Sequence, residues 1–143
     1  MDAIVETIEV NASPKACYDV ITDYAKYPEF LKETKRCVVN KKKANHFEVT
    51  FTLEIIKEFS YTISIEGKPG KHLSWSLISS DIMKINSGEW QIEEISKNKT
   101  RLTYTISEIK LSLFVPSMIT KKLVGSNLPG MMKSFKARIE EKV

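Results

Sequence analysis

The chain has 143 residues, a net charge of +4, and 42% hydrophobic and 28% charged residues. That mixture excludes a disordered polar chain, and the length lets one domain bury roughly 68–70% of its unfolded surface without metal or disulfide staples. The mild basicity admits an anionic membrane or a nucleic acid as partner without requiring either.

In chain order, "AIVETIEV" alternates, with Ile4, Ile8 and Val10 on one side, and predicts a strand. Ser13 then offers an N-cap and Pro14 a first helical residue. Cys17, Val20, Ile21 and Tyr24 form the apolar stripe of that helix, and Pro28 ends or restarts it, giving a short second helix at "PEFLKE". From about Lys35 to Lys110 the period becomes two. "RCVVNKK" is a short strand. "HFEVTFTLEI" puts Phe47, Val49, Phe51, Leu53 and Ile55 on one face, and "FSYTISIEG" does the same with Phe59, Tyr61, Ile63 and Ile65. Leu73, Trp75 and Leu77 share a face in the next strand, then Trp90 and Ile92, then Leu102, Tyr104 and Ile106, with Gly88 expected at a bulge. Alternation of apolar and polar faces marks an antiparallel sheet wetted on one side.

The last segment is amphipathic but interrupted. Leu128, Met132, Phe135 and Ile139 lie on one helical face, yet Pro129-Gly130 falls inside the same stretch. Either the helix kinks, or Ser126 or Asn127 caps a second piece with Pro129 in its first turn. Both readings make a two-part lid, the first part starting near Pro116. The expected class is α+β: a strongly curved antiparallel sheet of about seven strands wrapped around a long, kinked C-terminal helix, with two short helices after the first strand. One domain over residues 1–143 is expected.

"CYDVITDYAKYPEFLKETKRCVV" carries a D-Y-x-x-Y-P-x-F pattern in Asp23, Tyr24, Tyr27, Pro28 and Phe30. It resembles the opening of the polyketide cyclase/dehydrase and lipid transport family of the START-like (SRPBCC) superfamily, in its coenzyme Q-binding-protein-like branch. "SGEWQI", "TRLTYTI" and "LPGMMKSFKARIE" are similar to the same family's second half. The resemblance implies a START-like helix-grip fold with an apolar tunnel between sheet and C-terminal helix. Family members bind ubiquinone or other lipids, cyclise polyketides, or contact the ribosome, so the fold alone does not fix the function. The motif's own proline and aromatic residues read as packing and turn formation.

The side chains expected to line such a tunnel are Phe47, Val49, Phe51, Tyr61, Ile63, Trp75, Leu77, Trp90, Tyr104, Met118, Leu128, Met131, Met132 and Phe135. Methionines on the lid supply adaptable surface for a flexible ligand, although such a stripe also serves as plain core. No catalytic residue, metal site or cofactor is expected. His46 and His72 flank turns, Arg101 alternates with inward Leu102, and Ser79-Ser80-Asp81 reads as turn chemistry. No inward carboxylate or imidazole is available as general acid or base. This favours binding of a lipophilic small molecule (a lipid, quinone or polyketide-like compound) over catalysis. The alternatives are a cyclase or dehydratase, and a ribosome- or protein-binding module.

Lys41, Lys42 and Lys43, with Lys121 and Lys122, read as a solvated face or as contacts to an anionic membrane surface. Ribosomal RNA is the other candidate, disfavoured because the aromatic residues point inward. Cys17 and Cys37 form no C-x-x-C pair and read as reduced thiols. No apolar run approaches the roughly 18 residues of a membrane span, and "MDAIVETIEV" lacks a signal-peptide core, so a cytoplasmic location is expected.

Overall fold

A computed structural model describes residues 3–142. Strand β1 (Ile4–Val10) leads into helix α1 (Pro14–Ile21), where the Ser13 hydroxyl accepts the Ala16 N–H at 3.1 Å and Pro14 opens the first turn. Six further strands follow: β2 (Thr34–Lys43), β3 (His46–Ile55), β4 (Lys57–Lys68), β5 (His72–Ser80), β6 (Met83–Ser96) and β7 (Lys99–Leu111). Helix α2 (Ser117–Lys121) and helix α3 (Leu128–Glu141) complete the order.

The sheet order is β1-β7-β6-β5-β4-β3-β2, antiparallel throughout. Strands β1 and β2 are therefore the opposite edges, and α1 lies on the connection that carries the chain from one to the other. Register shifts in the β2–β3, β4–β5 and β6–β7 pairs mark bulges, which bend the sheet around its apolar face. One falls at Ser87/Gly88, where a side chain would not fit: a Cβ on Gly88 would sit 2.2 Å from the Thr105 carbonyl oxygen and 2.5 Å from the Trp75 ring.

The expected short second helix is a 3-10 helix over Tyr24–Glu29, so Pro28 lies inside it rather than at its start. Helix α1 stops at Ile21, its end closed by the Thr22 N–H donating to the Tyr18 carbonyl at 2.9 Å. Tyr24 and Tyr27 are then buried on the tighter turn, and the Tyr27 hydroxyl donates to the Ile21 carbonyl at 2.5 Å. Lys41, Lys42 and Lys43 form the exposed end of β2.

The last helix is divided in two, with Pro129 in the first turn of the second piece, but neither Ser126 nor Asn127 caps that piece with its side chain. Asn127 precedes α3, Pro129 lies in its first turn, and Met131 N–H reaches the Asn127 carbonyl at 2.9 Å. Between α2 and α3 the chain makes a π-helical turn over Lys122–Ser126. Such wide turns are rare, and Pro129, lacking an N–H, helps explain why a regular helix does not run through. Among the described residues no helix is long and apolar enough to cross a membrane.

Candidate functional site

Two apolar clusters fill the concave side. In the first, α1 and the C-terminal half of α3 pack with side chains of β1 and β3 to β7, leaving Val10, Cys17, Ile21, Val49, Leu73, Leu102 and Ile139 without exposed surface. In the second, Ile119 and Leu128 pack with Ile55, Phe59, Met83 and Ile106. Where the clusters meet, beneath the first turns of α3, lies a cavity of about 670 Å³. This is within the range of roughly 300–1,000 Å³ usual for small-molecule sites.

Nine of the fourteen side chains expected at a tunnel border this cavity: Phe51, Tyr61, Ile63, Trp75, Trp90, Tyr104, Leu128, Met131 and Phe135. The other five lie elsewhere. Phe47 packs edge-on to Tyr24 at 5.5 Å between ring centres, in the closed cluster with Val49 and Met132. Leu77 packs against both clusters without reaching the cavity wall. Met118 is 55% exposed, because α2 turns its neighbour Ile119 inward instead.

The sequence reading missed the rim. Tyr24, Tyr27, Phe30 and Leu31 wall one side, and Lys32, Glu33 and Thr34 continue it; Lys122, Leu123, Ser126 and Asn127 stand on the lid side. The Asn127 side-chain amide donates to the Glu33 carboxylate and straps the two sides together. The D-Y-x-x-Y-P-x-F motif thus walls the cavity as well as packing. Its place on the segment linking α1 to β2 was the available signal, since that segment must cross the open end of the sheet.

Inside, polarity is sparse. Phe51 stacks on Tyr61 at 5.3 Å, Trp75 stacks on Tyr104 at 5.1 Å, and Trp90 meets Tyr104 edge-on at 4.9 Å. The Trp75 indole N–H is held by Asn86 at 3.0 Å. The Tyr61 and Tyr104 hydroxyls have no hydrogen-bond partner among the described residues, yet no side-chain polar atom is both sealed from solvent and unpaired. The two hydroxyls therefore face accessible space, the cavity they border. Burial pushes both phenols above their ordinary pKa, so at neutral pH they are hydrogen-bond donors rather than bases.

The ionisable groups that chemistry would need are elsewhere. Among the described residues Glu33 is the one carboxylate on the cavity wall, and it stands at the rim in Asn127's hydrogen bond. His46 pairs with Glu66, and His72 Nε2 lies 2.8 Å from Glu89 Oε2, both outside the cavity. Arg101 pairs with Glu93 at 2.8 Å, and Arg138 pairs with Glu29 at 2.6 Å while covering Phe30. The Ser80 hydroxyl accepts the Ile82 and Met83 N–H groups, as turn chemistry does. Burial raises the Cys17 thiol to about 11 and Cys37 to about 12, so neither is a ready nucleophile at neutral pH.

A curved seven-stranded antiparallel sheet gripping a C-terminal helix, with a cavity between them, defines the helix-grip class. The family model described as "Polyketide cyclase / dehydrase and lipid transport" matches residues 10–136, and the chain belongs to that family. The chain is similar in structure to a START superfamily protein from Mycobacterium smegmatis (TM-score 0.85, 20% identity, 100% of both chains covered). It is also similar to the Zhui aromatase/cyclase from Streptomyces sp. R1128 (TM-score 0.87, 14% identity), covering 98% of this chain and 94% of that one. A Thermus thermophilus protein aligns with a TM-score of 0.79 at 16% identity, covering 98% of this chain and 95% of that one. At these identities the likeness establishes the fold. No curated protein matches the chain.

Proposed function

We propose that the protein is a cytosolic binder or carrier of a lipophilic small molecule, such as a lipid, a quinone or a polyketide-like compound, held between the sheet and α3. The observation that carries this reading is the cavity of about 670 Å³ walled largely by aromatic and aliphatic side chains, with Glu33 at its rim. Apolar wall left facing water costs about 25 cal/mol per Å², which an oily occupant relieves, and the unpaired phenols of Tyr61 and Tyr104 offer it two donors. The π-helical turn and the Glu33–Asn127 strap lie where an occupant would enter.

Tryptophan fluorescence tests the reading, because Trp75 and Trp90 border the cavity. Titration with a long-chain fatty acid or a short-tailed quinone is expected to change the emission saturably. A linear, non-saturating response to every lipophilic compound tried contradicts it.

A second reading, catalysis of the aromatase/cyclase kind, is supported by the structural likeness to the Streptomyces enzyme and by the two available phenols. It requires Tyr61→Phe or Tyr104→Phe to abolish turnover of a polyketide substrate while leaving binding measurable. Binding is the better-supported reading because no interior carboxylate or imidazole stands ready to take a proton.

A further inference from the structure

The end of the molecule that carries the cavity rim also carries its most exposed apolar side chains. Phe114 is 99% exposed, Leu113 76%, Ile56 68% and Met118 55%. Leu113 and Phe114 lie in the loop between β7 and α2, and Ile56 is the tip of the β3–β4 turn. Their neighbours Val115 and Ile55 pack in the same apolar cluster, so both tips crown one end. Both tips are also strained: φ is +70° at Ile56 and +74° at Phe114. That region favours glycine or asparagine, and a β-branched residue there is a steric outlier. Neither side chain is used by the interior, and solubility argues against both. Their presence at strained tips points to a use outside the fold.

Charge narrows the partner. No acidic residue occurs between Glu108 and Glu140, while Lys110, Lys121 and Lys122 flank the loop. Among the described residues no carboxylate lies within ion-pairing distance of these three lysines. Glu54 and Glu58 stand on either side of the Ile56 turn: Glu58 is occupied by Lys35 at 2.9 Å and Arg36 at 2.7 Å, Glu54 lies 3.7 Å from Lys35, and Asp81 lies 3.4 Å from the Ser60 N–H, so the net basic charge is on the β7–α2 side. The other basic cluster, Lys41–Lys43, ends β2 roughly 30 Å from Thr34 at the rim, at about 3.3 Å per residue, so the two lysine groups do not share a surface.

We infer that the β7–α2 loop, with the Ile56 turn beside it, is a membrane-docking edge that inserts Phe114 and Leu113 into an anionic lipid surface. Aromatic and aliphatic tips enter the boundary between headgroups and acyl chains, and the flanking ammonium groups stay with the phosphates. Helix α2 continues directly into Lys122 and Leu123 on the cavity rim, so docking sets the rim against the bilayer. The inference concerns the outer surface and stands whether or not the cavity holds a ligand.

Co-sedimentation of the full chain with vesicles tests it. Binding is expected to vesicles of phosphatidylcholine mixed with phosphatidylglycerol, and to weaken with salt. Pure phosphatidylcholine is expected to bind at least about tenfold more weakly. The double variant Leu113→Ser/Phe114→Ser changes only exposed side chains and is expected to keep its melting temperature while losing about tenfold or more in vesicle binding. Lys110→Gln/Lys121→Gln is expected to reduce binding to the anionic vesicles alone. Equal binding by the wild type and the double serine variant overturns the proposal. So does the absence of wild-type binding to anionic vesicles, which would leave the exposed tips to a protein partner.

Discussion

The two halves of the interior are built from similar residues and are closed to different degrees. Around α1 and the end of α3, side chains interlock until Cys17, Ile21, Leu73, Leu102 and Ile139 have no exposed surface. Around α2 and the start of α3, the lid is assembled from three short pieces, and a cavity of about 670 Å³ remains beneath it. Composition does not separate the halves; the continuity of the covering helix does. The C-terminal half of α3 seals its part of the sheet, while the stretch where α2, the π-helical turn and the first turns of α3 follow one another does not.

The contrast breaks hardest at Phe135, which is 1% exposed and meets Tyr27, Phe30 and Trp90 edge-on. Phe135→Ala is expected to destabilise the protein by about 3–5 kcal/mol, read by urea denaturation. Gly88→Ala is expected to cost about 1–3 kcal/mol by the same measurement, since its Cβ has no room against the Thr105 carbonyl oxygen and the Trp75 ring.

A sharper contrast lies among the tyrosines. Tyr27→Phe leaves the Ile21 carbonyl without its partner and is expected to cost about 1–3 kcal/mol. Tyr61→Phe and Tyr104→Phe remove hydroxyls that no described side chain engages. They are expected to move stability by no more than about 0.5 kcal/mol while changing the affinity for a ligand that accepts hydrogen bonds.

The sheet and its inward faces were legible because alternation is a local signal. Phe51, Tyr61, Trp75 and Tyr104 could be assigned to one surface from period two alone, and the positions of Pro14, Gly88 and Pro129 marked a helix start, a bulge and a lid joint. The rim was not legible. Lys32, Glu33 and Asn127 meet only after α1 has crossed the sheet and α3 has turned back, and nothing local records that meeting. Met118 and Met132 illustrate the same limit, for a helical stripe says which residues share a face but not whether that face meets a wall or a void. The π-helical turn also left no period of its own over so few residues.

Smaller effects probe the lid and the helix end. A Cβ on Gly125 or Gly130 would have no neighbour within 4 Å. Gly125→Ala is expected to stabilise the protein by about 0.4–1 kcal/mol and to slow ligand uptake in stopped-flow fluorescence. At the far end of α3, Glu140 accepts hydrogen bonds from Lys136 Nζ and the Asn11 N–H, each at 2.8 Å, and these hold its carboxyl below its ordinary pKa. A depressed carboxylate adds stability that is present above its unfolded pKa and lost as pH falls through the lower folded value. Glu140→Gln is therefore expected to flatten the acid limb of the stability–pH curve and to leave thermal unfolding below that limb little changed.

The most direct measurement is native mass spectrometry of gently purified protein, followed by organic extraction. On the carrier reading, the chain is expected to carry an added mass that leaves into the organic phase, and the stripped protein to take up one equivalent of a lipophilic compound. A chain at its bare mass that also refuses such compounds after stripping would contradict it.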